Sequence, residues 1–180
     1  CSHSQNVIDL RNIFNKRINV ISKIENEMAL RNLESICEIS DGILIDRGDL
    51  SRDIPLEKII YAQSYILKKA KKYPLSKYVA TNFMESMIDN QNPTRAEIHD
   101  IIQSIKDGAD GLVLAAETAI GNNPVNCTRV LSRIIDEVSN AENKLNKNIN
   151  DELVDYLLIP SNNRIVQPHG DVLVEQFIDD

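Results

Sequence analysis

Short, β-branched apolar runs recur along this chain at nearly even spacing, and that recurrence limits the fold more than any other feature. Ile18-Asn19-Val20-Ile21-Ser22, Gly42-Ile43-Leu44-Ile45, Lys77-Tyr78-Val79-Ala80-Thr81 and Gly111-Leu112-Val113-Leu114-Ala115 each read as a strand. They lack polar alternation, as strands of a parallel sheet do when both faces are covered. Amphipathic stretches separate them. Ile59, Ile60, Ile66 and Leu67 form one stripe after Pro55, and Ile98, Ile101, Ile102 and Ile105 form another after Pro93-Thr94. Val130, Leu131, Ile134, Ile135 and Val138 form a third. Strand starts fall roughly 31 residues apart, the length of one βα unit and about an eighth of a barrel of ~250 residues. Such units belong either to a doubly wound sheet or to part of a barrel.

Four units are half of a (β/α)8 barrel and would leave two strand edges unpaired, so a missing half in the same polypeptide or a second copy is expected to complete them. The length of 180 residues suits one domain with a real core. The 20 basic and 27 acidic residues give a net charge of −7, which argues against nucleic acid or an anionic membrane as partner. No apolar run is long enough for a membrane span. Cys1, Cys37 and Cys127 are too few and scattered for a disulfide framework, so a reduced, cytoplasmic chain is expected. No leader pattern follows Cys1, and the two ends suggest a piece of something longer. Residues 1–142 read as the half-barrel. An Asn-rich stretch, 143–162, reads as a linker, and 163–180 as the start of a further module.

Polar residues gather where the strands end: Lys23 and Glu25, Arg47 to Asp49, Thr81, Glu117. That edge carries the sites in both architectures. Positions 23 and 25 of an extended strand point the same way, so an ammonium and a carboxylate face one space. Neighbouring strands lie about 4.8 Å apart, which lets Glu25 and Asp49 share a divalent cation. Two carboxylates with positions left open for water and substrate suit Mg²⁺ better than Zn²⁺. A lysine beside such a metal offsets negative charge on a phosphoryl group in flight. Gly48 allows close backbone approach, and N–H groups at that turn suit a carboxylate. Each feature alone has a plainer reading. Lys-x-Glu is usually a surface ion pair, Arg-Gly-Asp a turn, Thr81 a strand former and Glu117-Thr118 a helix cap. Cys37 and Cys127 read as apolar fillers and His99 as solvent-facing. Their shared position at one end of successive strands is what singles them out.

The run Ile18-Asn19-Val20-Ile21-Ser22-Lys23-Ile24-Glu25-Asn26-Glu27-Met28-Ala29-Leu30 closely resembles the active-site signature of pyruvate kinase. The likeness continues through Ser40 to Leu44, Arg47 to Leu50, Ile54 to Lys58, Ala80-Thr81, Met84 to Met87, Pro93 to Glu97, Asp107 to Asp110 and Glu117 to Ala119. It implies an α/β fold, a partial TIM (β/α)8 barrel holding roughly strands 5–8 with their helices. It also implies a glycolytic enzyme that transfers a phosphoryl group between phosphoenolpyruvate and ADP, giving pyruvate and ATP, and a homo-oligomer in the intact protein. Lys23 matches the lysine that stabilises the transferring group. Glu25 and Asp49 match the metal-binding carboxylates, for Mg²⁺ with Mn²⁺ as an alternative. Gly48 and Asp49 match the amides that receive the substrate carboxylate, and Thr81 matches the threonine near the methyl carbon that gains a proton. K⁺ is implied too, with its ligands outside this segment.

Departures from that pattern bear on the same edge. Met28 stands where a polar residue is usual, Asp46 for alanine, Ser51 for glycine, Asn82-Phe83 for Gln-Met, and Ala115-Ala116 for Ser-Gly. If the Asp46 carboxylate enters the site, it opposes an anionic substrate by about 4 kcal/mol at 4 Å and an effective dielectric of 20. The family's first half supplies a substrate-contacting arginine, the monovalent-cation ligands and much of the nucleotide site, and none of these stands in the sequence. The isolated segment is therefore expected to be inactive. Ile165 to Val174 resembles the Pro-His-Gly-Gly-x-Leu-Val opening of ATP sulfurylases, departing at Asp171. Two other functions stay open. One is a Mg²⁺-dependent enolate lyase or aldolase on the same scaffold. The other is a degenerate, non-catalytic barrel module fused to an ATP-sulfurylase-like domain.

Overall fold

Strands β1 (Ile21–Ile24), β2 (Gly42–Asp46), β3 (Ser76–Ala80) and β4 (Gly111–Val113) lie parallel and in chain order in the computed structural model. The structure describes residues 1–14 and 18–145, together with Leu157. Helix α1 (Ser4–Ile13) precedes the sheet, and α2 (Glu27–Arg31) with α3 (Leu33–Cys37) follows β1. The single turn α4 (Arg47–Leu50) and then α5 (Ile59–Ala70) follow β2, α6 (Arg95–Lys106) follows β3, and α7 (Ala116–Ala119) with α8 (Pro124–Leu145) follows β4. A doubly wound sheet reverses its strand order, whereas a barrel adds each new strand beside the last. The order β1-β2-β3-β4 is that of a barrel arc, so the fold is a partial (β/α)8 barrel.

Pairing places Lys23 beside Leu44, Leu44 beside Tyr78, and Tyr78 beside Gly111. The intervening residues Ile24, Ile43, Ile45 and Val79 are fully buried in the core, together with Ile36 of α3, Ile66 and Leu67 of α5, Ile101 of α6 and Cys127 of α8. Each buried aliphatic side chain of this kind contributes about 1.5–3 kcal/mol. The sheet therefore turns one set of alternate residues to the helices and the other to the concave face. On that face the Tyr78 ring lies against Gly42 and Gly111, and a Cβ at Gly111 would stand 2.7 Å from it. The stripes of α6 and α8 are buried or half-buried, as their spacing predicts. In α5, Ile59, Ile66 and Leu67 are buried, but Ile60, in the first turn of the helix, is 41% exposed.

β1 starts three residues later than its apolar run. The Asp41 carboxylate takes the Val20 N–H at 2.8 Å, and the Val20 carbonyl accepts from Asp41 and Gly42. Thr81 lies beyond β3 with φ 72°, not in the strand. Cys37 and Cys127 are buried, His99 and Met28 are exposed, and all three cysteines are free. No described helix is long and apolar enough to cross a membrane. Helix α8 continues to Leu145, past the boundary expected at 142. Of the residues beyond it only Leu157 is described, so the expected linker apart from 143–145 and 157, and all of the ATP-sulfurylase-like stretch, lie outside the described residues.

Candidate functional site

Lys23, the third residue of β1, and Glu25, just past its end, project to the concave side as two-residue periodicity requires. The Lys23 Nζ stands 2.9 Å from Glu25 Oε2, 3.0 Å from Asp46 Oδ2 and 3.7 Å from Asp49 Oδ2. Asp46 closes β2 and is the N-cap of α4, so the chain turns at once and returns Asp49 to the same space. Oxygens of Glu25, Asp46 and Asp49 all lie within 4.8 Å of one another, and among the described residues no other group of His, Cys, Asp or Glu has such spacing. Hard oxygen ligands at that separation fit a divalent cation such as Mg²⁺. Partial burial of Lys23 disfavours its charge. The hydrogen bonds and charges of Glu25 and Asp46 outweigh this and hold it well above the usual ammonium range. Three carboxylates outnumber Lys23 and Arg52, whose Nη2 stands 3.1 Å from Asp49 Oδ1, so this corner is anionic.

Behind it sits a buried clamp. Arg47 is 6% exposed, with its guanidinium 4.2 Å from the Phe83 ring centre. Its Nη1 donates to Asp100 Oδ2 at 2.6 Å, while Nε and Nη2 donate to the Thr81 carbonyl at 3.1 and 2.6 Å. Thr81 is thereby held in the left-handed region at φ 72°, a conformation costing a β-branched residue about 1–3 kcal/mol. In return its Oγ1 accepts the Gly48 N–H at 2.9 Å and donates to the Ala80 carbonyl at 2.6 Å. The Asp49 N–H is taken by Asp46 Oδ1 at 3.3 Å. A Cβ at Gly48 would meet Asp46 Oδ1 and Thr81 Oγ1 at 3.5 Å, in the space those groups share.

The next strand end carries a second buried carboxylate. Glu117, 1% exposed, accepts the Met84 N–H at 2.9 Å and the Ala115 N–H at 2.8 Å, joining the loops after β3 and β4. It is a buried brace and not the plain helix cap its sequence position suggests.

The structure thus brings Lys23, Glu25, Gly48, Asp49 and Thr81 to one rim. Three groups to which the sequence assigns no catalytic or binding role join or support them: Asp46 in the cluster, Arg47 under Thr81, and Glu117 at β4. Arg47 is buried, so Arg-Gly-Asp here is the start of a helical turn and not an exposed surface turn. The available signal was position: all three stand at the end of a strand, where the barrel collects polar groups.

A family profile described as "Pyruvate kinase, barrel domain" matches residues 2–128, a stretch holding every rim residue. The chain belongs to the pyruvate kinase family. It is 50% identical to the pyruvate kinase of Thermotoga maritima over 130 residues, which cover 72% of this chain and 27% of that relative. It is 46% identical to the pyruvate kinase of Thermoplasma acidophilum over 119 residues, 66% of this chain and 22% of the relative. With the pyruvate kinase of Trypanoplasma borreli the identity is 40% over 132 residues, 73% of this chain and 26% of the relative. The chain spans about a quarter of the length of these curated relatives.

Proposed function

We propose that this chain is the C-terminal half of the catalytic barrel of a pyruvate kinase-like phosphotransferase, which transfers a phosphoryl group between phosphoenolpyruvate and ADP. The observation that carries the reading is the convergence of Lys23 Nζ on Glu25, Asp46 and Asp49 at 2.9–3.7 Å. Lys23 stays charged throughout the neutral range and holds an ammonium where the moving phosphoryl oxygens pass. Glu25 and Asp49 hold Mg²⁺, with Mn²⁺ as an alternative. When bound, the cation supplies positive charge against the phosphoryl and enolate oxygens. The amides of Gly48 and Asp49 receive the substrate carboxylate. Thr81 carries a hydroxyl proton at the rim, near the carbon that gains one.

ADP and K⁺ are held by the remainder of the barrel, supplied by the same polypeptide or a second copy. Among the described residues no strand pairs with the outer edge of β1 or of β4, which supports such completion. The 180 residues alone are inactive on this reading, and the intact protein is a cytoplasmic homo-oligomer, consistent with three free cysteines.

The test is Lys23→Met in the intact protein. ATP formation from phosphoenolpyruvate and ADP should drop by about three decades or more, the equivalent of ~4 kcal/mol in the barrier, with circular dichroism retained. Wild-type-like turnover in that variant would refute the assignment.

A further inference from the structure

We propose that Asp46 is a built-in competitor for the substrate carboxylate, setting how tightly this rim accepts carboxylate anions. The inference rests on the phosphotransferase reading for the identity of the incoming group. Its physical basis is the side chain's position. Asp46 is 9% exposed, and its two oxygens span the groups assigned to the substrate. Oδ2 meets Lys23 Nζ at 3.0 Å; Oδ1 accepts the Asp49 N–H at 3.3 Å and lies 3.4 Å from Thr81 Oγ1. The neighbouring Gly48 N–H is accepted by the neutral Thr81 hydroxyl oxygen. The Asp49 N–H is occupied by a charged carboxylate on the same chain.

An arriving carboxylate must therefore displace Oδ1 from that amide and then sit beside the charge it has displaced. Charge counting gives the same sign. Lys23, Glu25, Asp46 and Asp49, with Arg52 at 3.1 Å from Asp49, sum to −1, so a divalent cation brings the corner to +1. Without Asp46 the same cation would leave it at +2. Asp46 therefore halves the net positive charge that would draw an anion to the loaded corner. It also prevents the empty amide from capturing a carboxylate that lacks the energy to move it.

The experiment measures pyruvate binding to the intact protein in Mg²⁺, without ADP, by titration calorimetry. It compares the wild type with Asp46→Asn and Asp46→Ala. Asparagine keeps an acceptor for the Asp49 N–H, which preserves the cap of α4, and removes only the charge. Alanine removes both. Pyruvate affinity should rise about tenfold in Asp46→Asn and further in Asp46→Ala, with the KM for phosphoenolpyruvate falling in the same order. Equal affinities in the three folded proteins would overturn the proposal. So would weaker pyruvate binding in the variants, which would make Asp46 a ligand on the metal side. If the wild type bound pyruvate but made no ATP, the phosphotransferase reading would fail while the comparison of affinities still decided the role of Asp46.

Discussion

Replacing Arg47 with methionine removes the least replaceable support of the rim. Three losses coincide. The Asp100 carboxylate loses its ion pair at 2.6 Å, and its Oδ1 has no hydrogen-bond partner among the described residues. The Thr81 carbonyl loses two donors, and Phe83 loses the cation stacked 4.2 Å from its ring. Breaking a buried pair from one side costs about 3–5 kcal/mol, because a charge is left uncompensated. The Asp100 side chain keeps 22% exposure, so water repays part of this and the lower end applies, about 3 kcal/mol. That is a large share of the 5–15 kcal/mol typical of a folded domain. Urea denaturation of the intact protein reads it as a lower midpoint at constant slope. Adding Asp100→Leu removes the stranded charge and should recover about 1–4 kcal/mol. Turnover should not recover with it, because Thr81 still lacks the donors that hold its backbone at φ 72°. A loss below about 1 kcal/mol for Arg47→Met, or full activity in the double variant, would refute this account of the clamp.

Two further outcomes can be checked. Burial raises the Glu97 carboxyl's affinity for protons, but hydrogen bonds from Ser86 and Thr94 win and hold it below the ordinary glutamate range. Its stabilisation is therefore complete above about pH 4.3 and is lost as pH falls through the lowered folded value. Melting temperature should fall less steeply on acidification in Glu97→Gln than in wild type, and superimposable acid limbs would contradict this. Gly111→Ala drives a methyl group to 2.7 Å from the Tyr78 ring and should cost about 1–3 kcal/mol. In a Tyr78→Leu background the cost should shrink, and strict additivity in the double-mutant cycle would show that the ring is not the obstacle.

Much of the rim could be read from residue order, because period-two alternation and strand spacing suffice to bring Lys23, Glu25 and Asp49 together. What escaped was decided by burial and backbone direction. Arg47 looks like a turn residue until β2 and α4 meet without a loop, which drives its side chain inward to Asp100 and Phe83. Thr81 was assigned to a strand on its β-branching, yet the clamp pulls it past the end of β3 into the left-handed region. For Asp46 the departure from the family and, by period two from Leu44, the face it occupies are visible in the sequence; what the N-cap geometry of α4 adds is the contact of its carboxylate with both Lys23 and the Asp49 N–H. Glu117 was ambiguous for a related reason: adjacency to a helix start does not say whether a carboxylate faces water or two buried amides.

The alternation of Ile24, Ile43, Ile45 and Val79 with Lys23, Leu44, Asp46 and Tyr78 interleaves two texts on the same three strands, one spelling the core and the other the concave face. A deletion of one residue inside β1 or β2 would shift the reading frame of both at once, placing an ammonium or a carboxylate among the helices and an isoleucine on the rim. Engineered insertions and reporter tags belong at the opposite end of the barrel, at the exposed turn residues Lys71–Lys72 and Gly108, where neither text is written.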